Sequence, residues 1–271
     1  MVCSGHQAQS VLRLPRCGLE CGRRVRSGAE SQPHAARPGV EELYAGGNNL
    51  ATNSFEVGLA RISNYIFGRE SRPDVLETAE AANLTFQKTA GPTTFEIGLY
   101  RQNIEDYVFA QLIDQEVERG HRFLVYTAAD ATFTGIDGQI SHQFDAGHRL
   151  TVFGDYVRAE LKSEDDHLPR VPPGRLGTRY GWENGPVSAD LEYYRTFSQD
   201  RFASYETETG GYHMVNATLS YRLDLGAAKS VEFYLRGTNL TNELAFVHTS
   251  FVKDQSPLRG RSFLVGIRHQ F

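Results

Sequence analysis

The 271-residue sequence lacks the long hydrophobic run of a helical membrane protein and the basic excess of a nucleic-acid-binding protein. No stretch of 18 apolar residues occurs, so a transmembrane helix is excluded. The 28 Lys and Arg residues face 33 Asp and Glu residues, giving a formal net charge of −5, and no nucleic-acid partner is expected. A membrane location stays open, because the strands of a transmembrane barrel alternate polar and apolar residues and average out as hydrophilic.

Catalytic signatures are also missing from the sequence. It contains no phosphate-binding Gly-rich loop, no H-E-x-x-H metal motif and no recognisable Ser, His and Asp set. We therefore predict that the protein is not an enzyme and carries no cofactor.

Cysteines and aromatic residues are distributed unevenly. All three cysteines (Cys3, Cys17 and Cys21) lie near the start, and no Phe, Tyr or Trp precedes Tyr44. The Cys17–Cys21 pair has no second pair to complete a metal site, and no apolar core of a signal peptide is visible. Residues 1–38 are predicted to be disordered or spurious, with no fold of their own.

Alternation of polar and apolar residues begins at about residue 79 and continues to the end. In "VSADLEYYRTF" the apolar row runs Val187, Ala189, Leu191, Tyr193, and a polar row lies between its members. About nine such segments, each roughly ten residues long, follow one another with turn signals between them. The pattern predicts an all-β protein.

The connections between these segments fall into two classes that alternate along the chain. Short ones are "TAGP", "DAG", "ENGP" and "LGAAK", whereas long ones lie at about 112–125, 159–173, 199–211 and 241–259. An antiparallel up-and-down sheet would place all short turns at one end, as in an outer-membrane barrel. We predict a transmembrane β-barrel in which these nine strands form part of a larger barrel; a soluble β-sandwich is the alternative.

The last strand, "GRSFLVGIRHQF", ends on an aromatic residue. Phe263, Val265, Ile267 and Phe271 fall on one face, which is predicted to contact lipid.

Residues 233–271 and 39–58 resemble a known family. "GTNLTNE" followed by "GRSFLVGIRHQF", together with "EELYAGGNNLATNSFEVG", is similar to the barrel of TonB-dependent outer-membrane receptors. The similarity covers residues 39–271 and corresponds to the C-terminal part of the family's barrel. Residues 59–76 interrupt the family pattern and are predicted to be a disturbed insertion.

The resemblance implies a function in transport. Family members look like 22-stranded barrels filled by an N-terminal plug, and the TonB complex acts on that plug. The partners implied are outer-membrane lipid, the TonB complex and, through Phe271, the outer-membrane assembly machinery. The cargo implied is a metal ion or metal chelate, zinc or an iron-siderophore, and "HTSFVKDQSPLRGR" favours zinc.

No plug, TonB box or signal peptide is recognisable, so the chain alone is expected not to transport. A non-functional pseudogene or frameshift fragment is the alternative.

Candidate metal ligands lie on the long connections. Imidazole and carboxylate groups from separate loops suit a borderline cation. The alternative is that these charged side chains are simply solvated. The candidates are His121, Asp165, Asp166, His167 and His248.

Overall fold

Nearly all regular structure is β-strand. The computed structural model describes residues 25–50, 52–117, 121–162, 166–226 and 229–270. The strands are β1 (Val25–Ala36), β2 (Gly46–Asn49), β3 (Ser54–Val57), β4 (Glu77–Lys88), β5 (Thr93–Val117), β6 (His121–Gln143), β7 (His148–Leu161), β8 (Arg175–Asn184), β9 (Val187–Thr196), β10 (Tyr212–Gly226), β11 (Lys229–Thr238) and β12 (Ser262–Gln270). Two short helices, α1 (Val40–Tyr44) and α2 (Ile62–Tyr65), and a 3-10 turn (Leu59–Arg61) lie before β4.

The strands form one sheet in the order β1-β4-β5-β6-β7-β8-β9-β10-β11-β12. Each pair along this path is antiparallel, and from β4 onward every strand pairs with the next in sequence. The nine strands from β4 to β12 confirm the predicted number and the up-and-down order. Along this path β1 and β12 are the two end strands, so the described sheet is open.

Short connections at one end keep adjacent strands in register. Gly185, with φ of +58°, supplies the left-handed backbone of the two-residue turn between β8 and β9. The Asp145 carboxylate accepts a 2.8 Å hydrogen bond from the Gly147 amide in the turn between β6 and β7. The long connections therefore all lie at the opposite end of the strands.

The 112–125 segment differs from the predicted loop. β5 continues to Val117 and β6 starts at His121, so the two strands form a long hairpin. This hairpin extends past the neighbouring strands because other elements pack beside it. β3 pairs with β6 in parallel, and Val57 and Leu59 bury themselves against Val125. Packing from distant sequence thus keeps residues paired that would otherwise form a loop.

Residues 59–76 contribute to an apolar core. Leu59, Ile62 and Val75 are buried there together with Val108 and Val125 of the hairpin. The segment that interrupts the family pattern is therefore a packed part of this fold. Residues 25–36, within the range predicted to lack a fold, form β1 along β4, and an end strand tolerates the missing amide of Pro33.

Side chains of the sheet divide into two faces. We call the exposed apolar row the apolar face, and the row that alternates with it the polar face. Large exposed side chains dominate the apolar face. They include Leu99, Ile136, Ile140, Val152, Tyr156, Leu176, Tyr180, Leu191, Tyr193, Leu219, Tyr221, Phe233, Leu235, Phe263, Val265 and Ile267.

Ion pairs between adjacent strands occupy the polar face. Arg175 of β8 bonds to Asp155 of β7 at 2.7 Å. The Arg179 guanidinium of β8 donates two bonds to Glu192 of β9, and the carboxylate also accepts from the Asn216 amide at 3.1 Å. Because these groups are partly exposed, each pair contributes at most about 1 kcal/mol. Their regular spacing helps fix the register. No helix among the described residues is both long and apolar enough to cross a membrane.

Glycines on the polar face make room for aromatic rings of neighbouring strands. A Cβ at Gly177 would lie 2.5 Å from the Phe153 ring and 2.7 Å from the Tyr194 Cβ. Gly135 faces Tyr100 and Gly266 faces Tyr234 in the same way. The rings therefore cover bare backbone, which protects its hydrogen bonds and fixes the ring positions.

We predict that Gly177→Ala destabilises the sheet by about 1–3 kcal/mol, because the methyl group overlaps the Phe153 ring. The measurement is the temperature at which the folded, fast-migrating band converts to the unfolded band on a gel. Gly210→Ala is the matched control, since a Cβ there meets nothing within 4 Å. Equal melting temperatures for both variants would contradict the proposed packing.

Candidate functional site

Three long connections meet at the end of the sheet opposite the short turns. We call residues 162–174 loop A, 197–211 loop B and 239–261 loop C. Ala203 and Tyr205 of loop B pack against Leu124 of β6. Ala245 of loop C is buried against Tyr212 and Met214, at the start of β10. Loops B and C are therefore each held to the strands by apolar contacts.

Loop B is bonded to loop A through two carboxylates. Both Glu206 oxygens lie 3.2 Å from the backbone amide of Arg170, and one accepts the Ala203 amide. Asp166 of loop A accepts 2.9 Å hydrogen bonds from both the amide and the hydroxyl of Ser204. Hydrogen bonds to carboxylates are the stronger class, so these contacts order both loops.

Loops B and C are joined by a buried polar cluster. We call Glu206, Thr209, His248 and Lys253 the loop clasp. The Thr209 hydroxyl lies 2.8 Å from His248 Nδ1. The Lys253 ammonium donates to the Thr207 carbonyl, to Thr209 Oγ1 at 3.0 Å and to His248 Nδ1 at 3.3 Å. All three ammonium protons are thereby used, which is what allows a lysine to be buried.

The protonation state of the clasp follows from these donors. Since Lys253 and Thr209 both face Nδ1, that nitrogen accepts, and the proton of the neutral His248 ring lies on Nε2. The side chain is fully buried, and Nε2 has no hydrogen-bond partner among the described residues. The nearest carboxylate is Glu206 Oε2 at 3.8 Å, too far for a hydrogen bond.

Burial decides the charge of both basic groups. Burial, and then the Lys253 ammonium, lower the pKa of His248 to about 4, while Asp254 acts in the opposite direction. Burial also lowers the pKa of Lys253, and Asp254 and Glu206 act against this effect. At neutral pH the clasp therefore contains a neutral imidazole between a cation and a carboxylate.

The structure brings two of the predicted metal ligands to loop B. His248 contacts Thr209, and Asp166 contacts Ser204, so both side chains bind loop B. His167 is exposed, and its amide donates to Asp166. His121 is the first residue of β6, and Asp165 lies outside the described residues. No cluster of three or more His, Cys, Asp or Glu side chains suited to a metal occurs in the described part of the chain.

The residues that complete the clasp were not predicted. Lys253 lies in the quoted "HTSFVKD" segment, five residues after His248, but that spacing alone does not show that both point inward. Glu206 and Thr209 lie in "YETET", whose alternation of charged and hydroxyl residues is typical of a solvated loop. The partners of Thr209, His248 and Lys253, lie 39 and 44 residues away, which local patterns do not reveal.

Residues 34–240 match the sequence profile of the family "TonB dependent receptor-like, beta-barrel". The chain belongs to this family. A curated relative, the "Rhizobactin receptor" of Rhizobium meliloti (strain 1021), is 24% identical over 201 residues, which cover 66% of this chain and 26% of the relative. The family consists of receptors, which confirms the prediction that the protein is not an enzyme.

Solved TonB-dependent receptors share the fold. The copper transporter OprC matches with a TM-score of 0.75 at 15% identity, covering 91% of this chain and 37% of that one. The siderophore receptor PirA from Pseudomonas aeruginosa matches with a TM-score of 0.57 at 14% identity, covering 91% and 39%. The chain thus spans about a quarter of the curated relative and less than two fifths of these solved receptors. The fold is that of a transmembrane β-barrel wall, and the two-sheet sandwich finds no support.

Phe263, Val265 and Ile267 of β12 belong to the apolar face. Phe263, Val265 and Ile267 are 65%, 77% and 67% exposed, so large apolar side chains point away from the protein. Phe271 lies outside the described residues. Recognition of this strand by the assembly machinery stays a prediction.

We predict that loop closure weakens as the pH falls from about 6.5 toward 4. The pKa of His248 in the closed clasp, about 4, is below its ordinary value of 6.5. The open form therefore binds a proton first, and stability is complete above about pH 6.5 and decreases below it. Limited proteolysis of loops B and C between neutral pH and about pH 5 measures the effect.

His248→Asn keeps an acceptor near the Nδ1 position without titrating. It should flatten the pH dependence of loop cleavage, whereas exposed His167→Asn should not. An unchanged pH dependence in His248→Asn would contradict the assignment.

We predict that Lys253→Met opens the clasp at neutral pH. The methionine replaces the apolar stem of the lysine up to Cε but leaves the Thr207 carbonyl without its donor. The loss of a buried charged donor costs about 1–3 kcal/mol. Protease cleavage within loop C should therefore be faster by about tenfold or more, while exposed Lys162→Met, in loop A, should cleave at the wild-type rate. Equal cleavage rates in the two variants would show that Lys253 does not hold the loops together.

Proposed function

We propose that this protein forms part of the wall and the outer loop surface of an outer-membrane receptor that takes up a metal chelate or metal ion. The observation that carries the proposal is the family match over residues 34–240. The relatives support the class of cargo: one is named a rhizobactin receptor, and the solved structures include siderophore receptors and a copper transporter. Energy for uptake comes from the TonB complex, as the family name implies.

The arrangement of the chain is consistent with a receptor of this type. Strands of ten residues, such as β8 and β9, are long enough to cross the hydrocarbon layer when tilted. Their apolar face then contacts lipid, and the polar face lines the interior. With the short turns in the periplasm, loops A, B and C lie outside the cell, where a ligand first meets the protein.

The loop clasp supports a chelate more than a bare cation. A cation at His248 would meet the Lys253 ammonium, which lies 3.3 Å from Nδ1 of the same ring. Thr209, His248 and Lys253 are also buried, so the clasp acts by holding the loops closed. Asp166 is already bonded to Ser204, which reduces its availability as a ligand. Zinc, which "HTSFVKDQSPLRGR" favours, is therefore the second candidate cargo, and the test below includes it.

Deletion of loop B tests the function in the bacterium that encodes the protein. The chromosomal gene would lose residues 197–211, and outer-membrane fractions would be assayed for the protein. We expect the deletion to reduce uptake of radiolabelled ferric siderophores at least several-fold. Growth of the wild-type and deletion strains is then compared in media depleted of iron, of zinc or of copper. The metal whose depletion separates the two strains identifies the cargo.

Two controls define the outcome. Wild-type uptake should stop when a protonophore removes the energy that TonB uses. A Lys162→Met strain should transport normally, because this exposed side chain lies outside the clasp. If the protein that lacks loop B reaches the outer membrane and the uptake of iron, zinc and copper is unchanged, the proposal is wrong.

A further inference from the structure

A groove crosses the apolar face over strands β8 to β12. Its floor consists of small residues at neighbouring positions of three adjacent strands, Ala189 of β9, Ala217 of β10 and Gly237 of β11. The groove has a volume of about 680 Å³, within the range of roughly 300–1,000 Å³ that is typical of ligand sites. Larger apolar side chains border it, namely Tyr180, Leu191, Leu219, Leu235, Leu240 and Phe263.

The groove runs from the short-turn end of the strands to their loop end. His148, at one end of it, is the first residue of β7 and follows a short turn. At the other end, Gly237 is the last residue but one of β11, and Leu240 belongs to loop C. Because the strands of a barrel are tilted and staggered, the direction of their hydrogen bonds is inclined to the membrane plane. A groove along this direction therefore crosses much of the hydrocarbon layer.

Polar side chains that point outward lie at the short-turn end of the groove. His148 and Trp182 are partners in the register of β7 and β8, and both line the groove. The Tyr180 hydroxyl is hydrogen-bonded to His148 Nδ1, which fixes the orientation of the imidazole. Asp190 and Thr218 are paired on the polar face, so their side chains point away from the groove. The lining beyond the short-turn end is apolar.

Two N–H groups are available at this end. When the Tyr180 hydroxyl donates to Nδ1, the proton of the neutral His148 ring lies on Nε2. Neither His148 Nε2 nor the Trp182 indole N–H has a hydrogen-bond partner among the described residues. Indole groups are enriched where the hydrocarbon layer meets the head groups. Both donors therefore lie at the level where a lipid of the inner leaflet places its phosphate.

We propose that the groove binds one glycerophospholipid of the periplasmic leaflet. An acyl chain lies along Ala189, Ala217 and Gly237, and the phosphate accepts hydrogen bonds from His148 and Trp182. The inference rests on the proposed function in placing the apolar face in the outer membrane with the short turns in the periplasm. Hydrogen bonds to a charged phosphate are stronger than those to neutral acceptors.

The shape of the groove distinguishes this site from the rest of the apolar face. Above a floor of Ala and Gly, an acyl chain contacts side chains on both sides as well as the backbone beneath it. Dispersion contacts add up over such a surface, so a chain in the groove is held more firmly than one against a row of large side chains. A polar end joined to a long apolar groove matches a lipid, which has its phosphate at one end only.

The test measures lipid binding to the full chain, purified from outer membranes in detergent, by native mass spectrometry. The probes are palmitoyl-oleoyl phosphatidylethanolamine, the diacylglycerol with the same chains, and glycerophosphoethanolamine, which has no chains. We expect the phospholipid to bind about tenfold more tightly than the diacylglycerol, because only the phospholipid accepts charge-assisted hydrogen bonds. It should also raise the gel conversion temperature, and glycerophosphoethanolamine should leave that temperature unchanged.

A variant that fills the groove tests the site of the acyl chain. Ala217→Leu places a large side chain on the floor and should weaken phospholipid binding by about tenfold, because the chain loses its contacts there. Ala82→Leu is the matched control, since Ala82 is an exposed residue of the apolar face on β4, outside the groove. Migration of the folded band shows that each variant is folded.

A second variant tests the site of the phosphate. His148→Phe removes the Nε2 donor and should bring the affinity for the phospholipid close to that for the diacylglycerol. His213→Phe is the matched control, because His213 is also bonded to a tyrosine, Tyr193, at 2.6 Å but does not line the groove. It should bind both lipids like the wild type.

Four results would overturn the proposal. Equal binding of phospholipid and diacylglycerol would exclude a phosphate site, and wild-type affinity in Ala217→Leu would place the chain elsewhere. Equal stabilisation by glycerophosphoethanolamine would indicate a site for the free head group. A lipid-free dimer that Ala217→Leu converts to monomers would assign the groove to a second copy of the protein. None of these results affects the uptake experiment with the loop B deletion, whereas absence of the protein from outer-membrane fractions would contradict the proposed function first.

Discussion

The hydrogen bonding of the backbone is the constraint on which the rest of the structure depends. In a bilayer no water is available to amide and carbonyl groups, so each must bond to a neighbouring strand. From β4 to β12 every strand meets this requirement by pairing with the next in sequence. The outer edges of β1 and β12 face the same requirement in lipid. Continuous pairing then forces side chains to alternate between lipid and interior.

The two faces of the sheet are consequences of that alternation. Apolar side chains can occupy the lipid side at every second position because the intervening polar residues all point inward. There the polar residues find partners on adjacent strands, as Arg175 does with Asp155 and Arg179 with Glu192. Rings that cross bare backbone at glycines fill the remaining space, as Phe153 does at Gly177. Charge, ring packing and register thus stabilise the same strand order.

Much of the barrel wall could be predicted from the sequence because its determinants are local. Alternation identifies the strands, and turn residues such as Gly185 identify the short ends. The β5–β6 hairpin could not be predicted, because its extension depends on β3 and on Leu59, which are distant in sequence. The same applies to the loop region. His248 and Asp166 were predicted as candidate metal ligands on the loops, but their partners depend on how three loops pack together.

The loop clasp is a polar contact of modest stability. A buried ammonium and a neutral imidazole both bear a desolvation cost, and hydrogen bonds to Thr209 and the Thr207 carbonyl offset it only in the closed form. His248 Nε2 remains without a hydrogen-bond partner among the described residues, so even the closed form is not fully satisfied. An apolar core of the same size would hold the loops more firmly. A polar clasp with an unmet donor therefore gives a defined closed state of modest stability, from which local opening costs little.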